Sequence, residues 1–287
     1  MLNKEVWVKQ LMEGFYPDNS FLRKVMDFTE HVDANKLHIP SAGIDPKVLI
    51  NNTTYPISVV GREDEDCVIA LDKFETENTL VRRPEAIEYS YDKVDSVIRQ
   101  HRSTLQAQTA RKAIHAFAPT SDTKDTPVIT TTGEDYNGRK RLRAVDILSL
   151  KERFDDALIP LADRYIVLSP KHVSDLLNED LNLFKEITDL RNGEPFKFAG
   201  FGIYSFAYMP TYRGGSKVAF GADAQDGDAF ASVAFYAREV MKADGEIHMY
   251  ALEDDPRERG TIIGFDKRFI AMPVRGLGVG AIVSANA

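Results

Sequence analysis

The order of segments constrains this chain more than any single motif. A polar, hairpin-like stretch from Asn51 to Tyr91 runs into a long polar helix, Asp92 to Phe117, and a block of alternating strands, Ala231 to Val283, comes much later. Neither the hairpin nor the helix carries enough apolar surface to fold on itself, so both are expected to lie across something else. That arrangement points to a subunit of an assembly.

Composition narrows the class. The 287 residues are 43% hydrophobic and 28% charged, which suits one elaborate globular domain or two small ones and not a disordered chain. Lys and Arg number 36 against 44 Asp and Glu, for a formal net charge of -8, so the chain as a whole is no electrostatic sink for nucleic acid. Cys67 is the single cysteine, which rules out an intrachain disulfide and a cysteine metal cluster and fits a reducing compartment. Lys4, Glu5 and Lys9 break up the apolar steps of the N-terminus, and no run of eighteen apolar residues occurs. A cytosolic protein without signal peptide or membrane span is expected.

Along the chain, Val6 to His31 mixes helical spacing with a Pro17-Asp18-Asn19-Ser20 break and is read as an arm of two short helices. Leu37 to Pro40 is a brief extended segment. From Tyr55 the period becomes two, with Ile57 and Val59 alternating before a charged tip, Gly61 to Asp66. Val68 to Leu71 and Phe74 to Val81 resume the extended pattern, so a projecting hairpin is expected. The helix that follows carries a narrow stripe of Val94, Val97, Ile98, Leu105, Ile114 and Phe117, and at ~1.5 Å per residue it forms a strut of about 40 Å. Thr120 to Arg143 reads as a loop ending in the basic run Arg139, Lys140, Arg141 and Arg143. Such a run is a solvated helix start, an intersubunit contact or a phosphate-binding patch.

Asp146 to Leu161 has Ile147, Leu150, Phe154, Leu158 and Leu161 on one helical face. Arg164 to Leu168 is a buried strand, Ser169-Pro170 starts a short helix, and Phe196 to Phe206 is a second apolar strand. Glu246 to Leu252 and Thr261 to Ala271 make a long hairpin turned by Asp254 to Gly260.

Motifs for chemistry are weak. Gly276 to Gly280 lacks the third glycine spacing, following helix and distal acid of a dinucleotide loop, and Asp223 to Asp228 lacks the ligand alternation of a calcium loop. The six histidines show no metal-ligand spacing, and Cys67 follows Glu65 and Asp66, which raise a thiol pKa. No catalytic, cofactor-binding or metal-binding residue is assigned, and no enzymatic activity is expected.

The segment order as a whole resembles the tailed-bacteriophage major capsid proteins of the Hong-Kong-ninety-seven-like fold, an α+β architecture. The carrying segments are Lys36 to Pro40 as the first strand, Ile50 to Tyr91 as the extended loop and Asp92 to Phe117 as the spine helix. Arg164 to Pro170 resembles the family's strand-then-proline-then-helix element, and Phe230 to Tyr236 with the hairpin through Asp255 to Arg257 resembles peripheral strands. The resemblance implies an N-terminal arm over 1–49, an extended loop over 50–91, and spine helix with its following loop over 92–147. It further implies an axial domain over 148–222 and a peripheral hairpin with the C-terminus over 223–287.

On that resemblance, copies form hexamers and pentamers that close into an icosahedral head around double-stranded DNA. The partners implied are the chain itself, a portal, a separate scaffolding protein if one is used, and DNA through non-specific contact, with no membrane. The location implied is the virion, after assembly in the host bacterial cytoplasm. Intersubunit contact is expected through Ile57, Val59, Val68, Leu71 and Phe74 of the loop, and at an inner or intersubunit face through Arg139, Lys140, Arg141 and Arg143. The alternatives are an encapsulin-like nanocompartment shell, a monomeric enzyme with dispersed acid/base residues, and a nucleic-acid-binding protein using the basic run.

Overall fold

The computed structural model describes residues 8–9, 11, 15–16, 20–33, 36–41, 65–82, 93–187 and 194–286. The expected strand through Ile57 and Val59, and the 61–64 part of the charged tip, lie outside them.

Short strands come first: β1 (Met26–Asp27), β2 (Val32–Asp33) and β3 (Lys36–Ser41), then β4 (Glu65–Ala70), β5 (Asp72–Glu75) and β6 (Thr79–Arg82). The long helix α1 (Lys93–Phe117) follows, then β7 (Val128–Thr130), β8 (Asp135–Tyr136), β9 (Arg139–Lys140) and α2 (Ala144–Asp156). Next are β10 (Arg164–Leu168), α3 (Pro170–Glu179), α4 (Leu181–Phe184), β11 (Lys197–Phe198), β12 (Phe201–Ser205), β13 (Thr211–Arg213) and β14 (Ser216–Lys217). Four long or buried strands form the remainder: β15 (Ala229–Tyr236), β16 (Val240–Asp255), β17 (Gly260–Pro273) and β18 (Val279–Val283).

Two sheets organise these elements. In the central mixed sheet, β10 lies between β12, parallel to it, and β15, antiparallel to it, while β18 joins β15 to β7. Strands β10 and β18 are buried on both faces, which is why they read as continuous, largely apolar runs. Tyr165, Val167, Val233 and Phe235 face α1, whereas Ile166, Leu168, Ala234 and Ile282 face α2 and α3 with Ile147, Leu150 and Phe154. A side chain at position 280 would collide with Phe154 and Leu150, so Gly280 is what lets α2 sit on β18. The second sheet is built on the β16–β17 hairpin, with β1 parallel to β16 and both β5 and β6 antiparallel to β17.

Helix α1 joins the two sheets. Ile98 and Leu105 pack with Met249, Ile263 and Phe265 of the long hairpin, while Ala113, Ile114 and Phe117 pack with Tyr165, Val233 and Phe235 of the central sheet. The buried row His101, Leu105, Thr109, Ala113 and Phe117 advances four residues at a time, hence about 40° per step, and winds roughly 160° around the helix. A fixed apolar stripe was the expectation; the winding row explains why it looked too thin for a core helix. The strut is largely buried within its own chain. Its C-terminal carbonyls are satisfied by Lys217, whose Nζ donates to His115 O and Ala118 O at 3.0 and 2.5 Å.

One expectation from periodicity is corrected. Helix α2 ends at Asp156, not at Leu161: Leu158 adopts a left-handed φ of 57°, and both Leu158 and Leu161 are exposed. The central sheet runs across the 222/223 boundary that the resemblance implies, because β15, after it, pairs with β10, before it, and also with β18. Strands β15 and β18 therefore share a sheet with β10 and β12, while β16 and β17 form the long hairpin of the second sheet.

The seam between β15, α3 and the C-terminal segment is held by His172. This residue is fully buried, and its Nδ1 and Nε2 lie 2.6 and 2.9 Å from the hydroxyls of Ser232 and Ser284. Burial pushes its pKa down to about 3, with Arg139 and Lys171 acting the same way and Asp175 opposing. The folded protein thus holds it neutral, while the unfolded chain takes up a proton near pH 6.5. Its contribution is complete above that pH and is lost as pH falls from about 6.5 toward 3, at about 1.4 kcal/mol per pH unit. Urea denaturation at stepped pH should show this loss in the wild type and a flatter profile in His172→Gln. Phe117→Ala, which empties the point where α1 meets the central sheet, should cost about 3–5 kcal/mol in the same assay.

Candidate self-assembly surfaces

The described part of the extended loop is rooted in its own chain. Strand β4 pairs antiparallel with β3, Leu37 opposite Ile69 and His38 opposite Val68, while β5 and β6 add to β17. Leu71 and Phe74 were expected to be contact residues that the monomer leaves exposed; both are packed internally. Leu71 is buried with Leu37, Met241 and Ala243, and Phe74 stands edge-to-face with Phe269 at 6.2 Å. Gly245, at a bulge in β16, makes the first contact possible, since a side chain there would meet Leu71 and Arg268. Val68 is the loop residue that remains in solvent, at 48% exposure. Lys73 is tied to Glu75 at 2.5 Å and to Asp266 at 3.5 Å.

The basic run is divided among partners. Arg139 makes a bidentate pair with Asp175 at 2.6 and 2.8 Å, and Asp175 also accepts from Leu142 N. Arg141 lies over the Tyr136 ring at 4.2 Å, and Lys140 uses its backbone to hold residue 285. Arg143 is the N-cap position of α2: its backbone N donates to Asp146, and its guanidinium reaches Glu179. The run is a hairpin strand and a helix start, with Arg139 and Arg143 paired to carboxylates and Arg141 set over an aromatic ring.

Under the long hairpin lies a buried ionic cluster that fixes the N-terminal arm. Asp244 accepts from Lys267 Nζ and from Tyr16 OH, the latter at 2.5 Å, and its backbone N donates to Thr29 Oγ1 at 3.1 Å. Lys242 meets Asp27 at 3.2 Å and the Tyr16 ring at 3.6 Å. Burial lowers the Lys267 pKa despite Asp244, and burial followed by the Asp244 charge drives Tyr16 far upward. Lys242, Asp244 and Lys267 at its centre are buried, whereas Asp27 and Thr29 at its edge reach solvent. Among the described residues no three His, Cys, Asp or Glu side chains gather as a metal site, and no helix is long and apolar enough to cross a membrane.

Several large apolar side chains stay in solvent. Leu158 is 89% exposed and Leu181 66%, and Leu161, Leu183 and, on α2, Val145 and Leu148 are exposed too. So are Tyr250 and Leu252 of β16, Val68 of β4, and Tyr136, Tyr208 and Phe220. Of these, Val68 is among the expected contact residues; the others carry no such signal in the sequence, because periodicity marks a leucine as apolar without telling core from interface.

Comparison with known proteins gives a uniform answer about the fold. No protein-family model matches the chain, and no curated protein matches its sequence. Among solved structures, the capsid of the cyanophage P-SCSP1u is similar over 92% of this chain and 87% of that one, at 17% identity and a TM-score of 0.63. The capsid of Ralstonia phage GP4 is similar over 94% and 88%, at 11% identity and a TM-score of 0.63. A virus-like particle from Pyrococcus furiosus covers 98% of this chain and 100% of that one, at 12% identity and a TM-score of 0.57. At these identities the likeness shows the fold: this chain has the α+β, Hong-Kong-ninety-seven-like fold that phage capsid structures share.

Proposed function

We infer that this chain is the shell subunit of a phage head, assembling as hexamers and pentamers into an icosahedral shell around double-stranded DNA. The observation that carries the reading is the match of nearly the whole chain to phage capsid structures. Exposed apolar side chains supply a physical means. Leu158 and Leu181 belong to different segments from Tyr250 and Leu252, and contact of one set with the other between copies is heterologous, the kind that makes rings when the rotation closes. A standard interface needs about 800 Å² from each partner, within reach of several large side chains and the loop that carries Val68. Val68, with Ile57 and Val59 from the undescribed part of the loop, is assigned to the neighbouring copy; Leu71 and Phe74 are assigned to the loop's root. The role is geometrical, with a portal and any scaffolding protein as further partners during assembly in the bacterial cytoplasm.

A second reading, a protein-enclosing compartment, draws on the end-to-end match to the Pyrococcus virus-like particle. The contents of the particle separate the two. Expressed alone and viewed by negative-stain electron microscopy with light scattering, the protein should form rings, tubes or closed shells. A persistent 32.2 kDa monomer overturns the shell reading. Leu158→Lys with Leu181→Lys should leave monomer stability within about 0.5 kcal/mol, since both side chains are in solvent, yet abolish the rings.

A further inference from the structure

The β8–β9 hairpin is closed by two exposed residues in left-handed conformations, Asn137 at φ 52° and Gly138 at φ 76°. This is the two-residue Asn-Gly connection that matches strand twist, and it is held by two register pairs, Asp135 with Lys140 and Tyr136 with Arg139. So short a ladder at the surface opens locally at little cost. Both residues are exposed, and open space surrounds the position where a Gly138 side chain would stand, so among the described residues no other part of the chain packs on this side of the turn.

We propose that Asn137 is a self-modification site. In the opened turn, the Gly138 backbone nitrogen attacks Asn137 Cγ. The new N–Cγ bond closes a five-membered imide, the Cγ–Nδ2 bond breaks, and ammonia leaves carrying the amide proton. Water then adds to either imide carbonyl. Cleavage at the side-chain carbonyl leaves aspartate, and cleavage at the main-chain carbonyl leaves an isoaspartyl link in which the backbone runs through the former side chain. Water is the sole co-reactant, and nothing is oxidised or reduced.

The position gives the reaction a consequence. Strand β9 clasps the C-terminal segment: Lys140 N donates to Ala285 O at 2.9 Å, and Arg139 forms a bridge with Asn286. Thr131 closes the clasp, its hydroxyl donating to Lys140 O at 2.9 Å and accepting from Ala285 N at 3.0 Å. An isoaspartyl link adds a methylene to the backbone of a two-residue turn that sets the β8–β9 register. The hold on residues 284–286 therefore weakens as the chain ages. This inference stands apart from the shell reading, because it concerns the isolated subunit equally.

The test is timed incubation of the full chain at neutral and mildly alkaline pH, followed by peptide mapping with mass spectrometry. The map must separate this site from the other Asn-Gly pair, Asn192–Gly193, which lies outside the described residues. Conversion at Asn137 should outpace that at exposed Asn178, which precedes Glu179, should accelerate with pH because the attacking amide must lose its proton, and should vanish in Asn137→Ala. Hydrogen exchange at the Ala285 amide should rise in the isoaspartyl form. Conversion no faster than at Asn178 overturns the site, and unchanged exchange at Ala285 overturns the coupling to the C-terminal segment.

Discussion

Everything in this molecule hangs on one helix that must satisfy two sheets at once. Helix α1 meets the long hairpin along its first half and the central sheet along its second, and the two sheets approach it from different directions. A single straight apolar stripe cannot face both. The row from His101 to Phe117 solves this by advancing four residues at a time, so that the buried surface turns with the helix. Small and polar members, Thr109 and Ala113, fill the middle of the turn; Thr109 is tolerated because its hydroxyl donates to Leu105 O at 2.8 Å.

The hairpin end depends on a different kind of interaction. Lys267 is fully enclosed and Lys242 nearly so, each beside a carboxylate and each over an aromatic ring of the N-terminal arm. Buried cations contribute little net stability, but separating them from their partners is costly, so the cluster defines where the arm must lie. The arm then brings Phe21, Leu22 and Val25 into the same core as Phe117 and Phe235. Arm, long helix and both sheets are drawn together, and the apolar surface left for other copies is that of side chains such as Leu158, Leu181, Tyr250 and Leu252.

Much of the fold was legible from local chemistry. Ser169 caps α3 by accepting from His172 N, with Pro170 at its first position, as the residues themselves suggest. The acidic turn through Pro256 does close the long hairpin between Asp255 and Gly260. Less legible were features fixed by remote partners. Arg139 was read within a run open to solvent, another subunit or phosphate, and its partner Asp175 lies 36 positions away. Leu71 looked like a contact residue until Gly245 and Met241 enclosed it. Leu158 and Leu161 fit a helical period that α2 does not continue, since the chain turns away at a left-handed residue and hands both to solvent.

The sequence by itself determined the local elements: the long helix, the buried strands, the caps and the hairpin turn, because those follow from periodicity and backbone preference within a few residues. Its order of segments also matched the capsid architecture that the solved structures share. Tertiary structure alone decided which strands share a sheet, which cations are neutralised and which leucines remain in solvent. Sheet partners such as Tyr165 and Phe235 stand 70 positions apart, and burial is a property of what arrives from elsewhere in the chain. An apolar residue declares that it avoids water; only the assembled fold decides whether its own chain or another copy provides the cover.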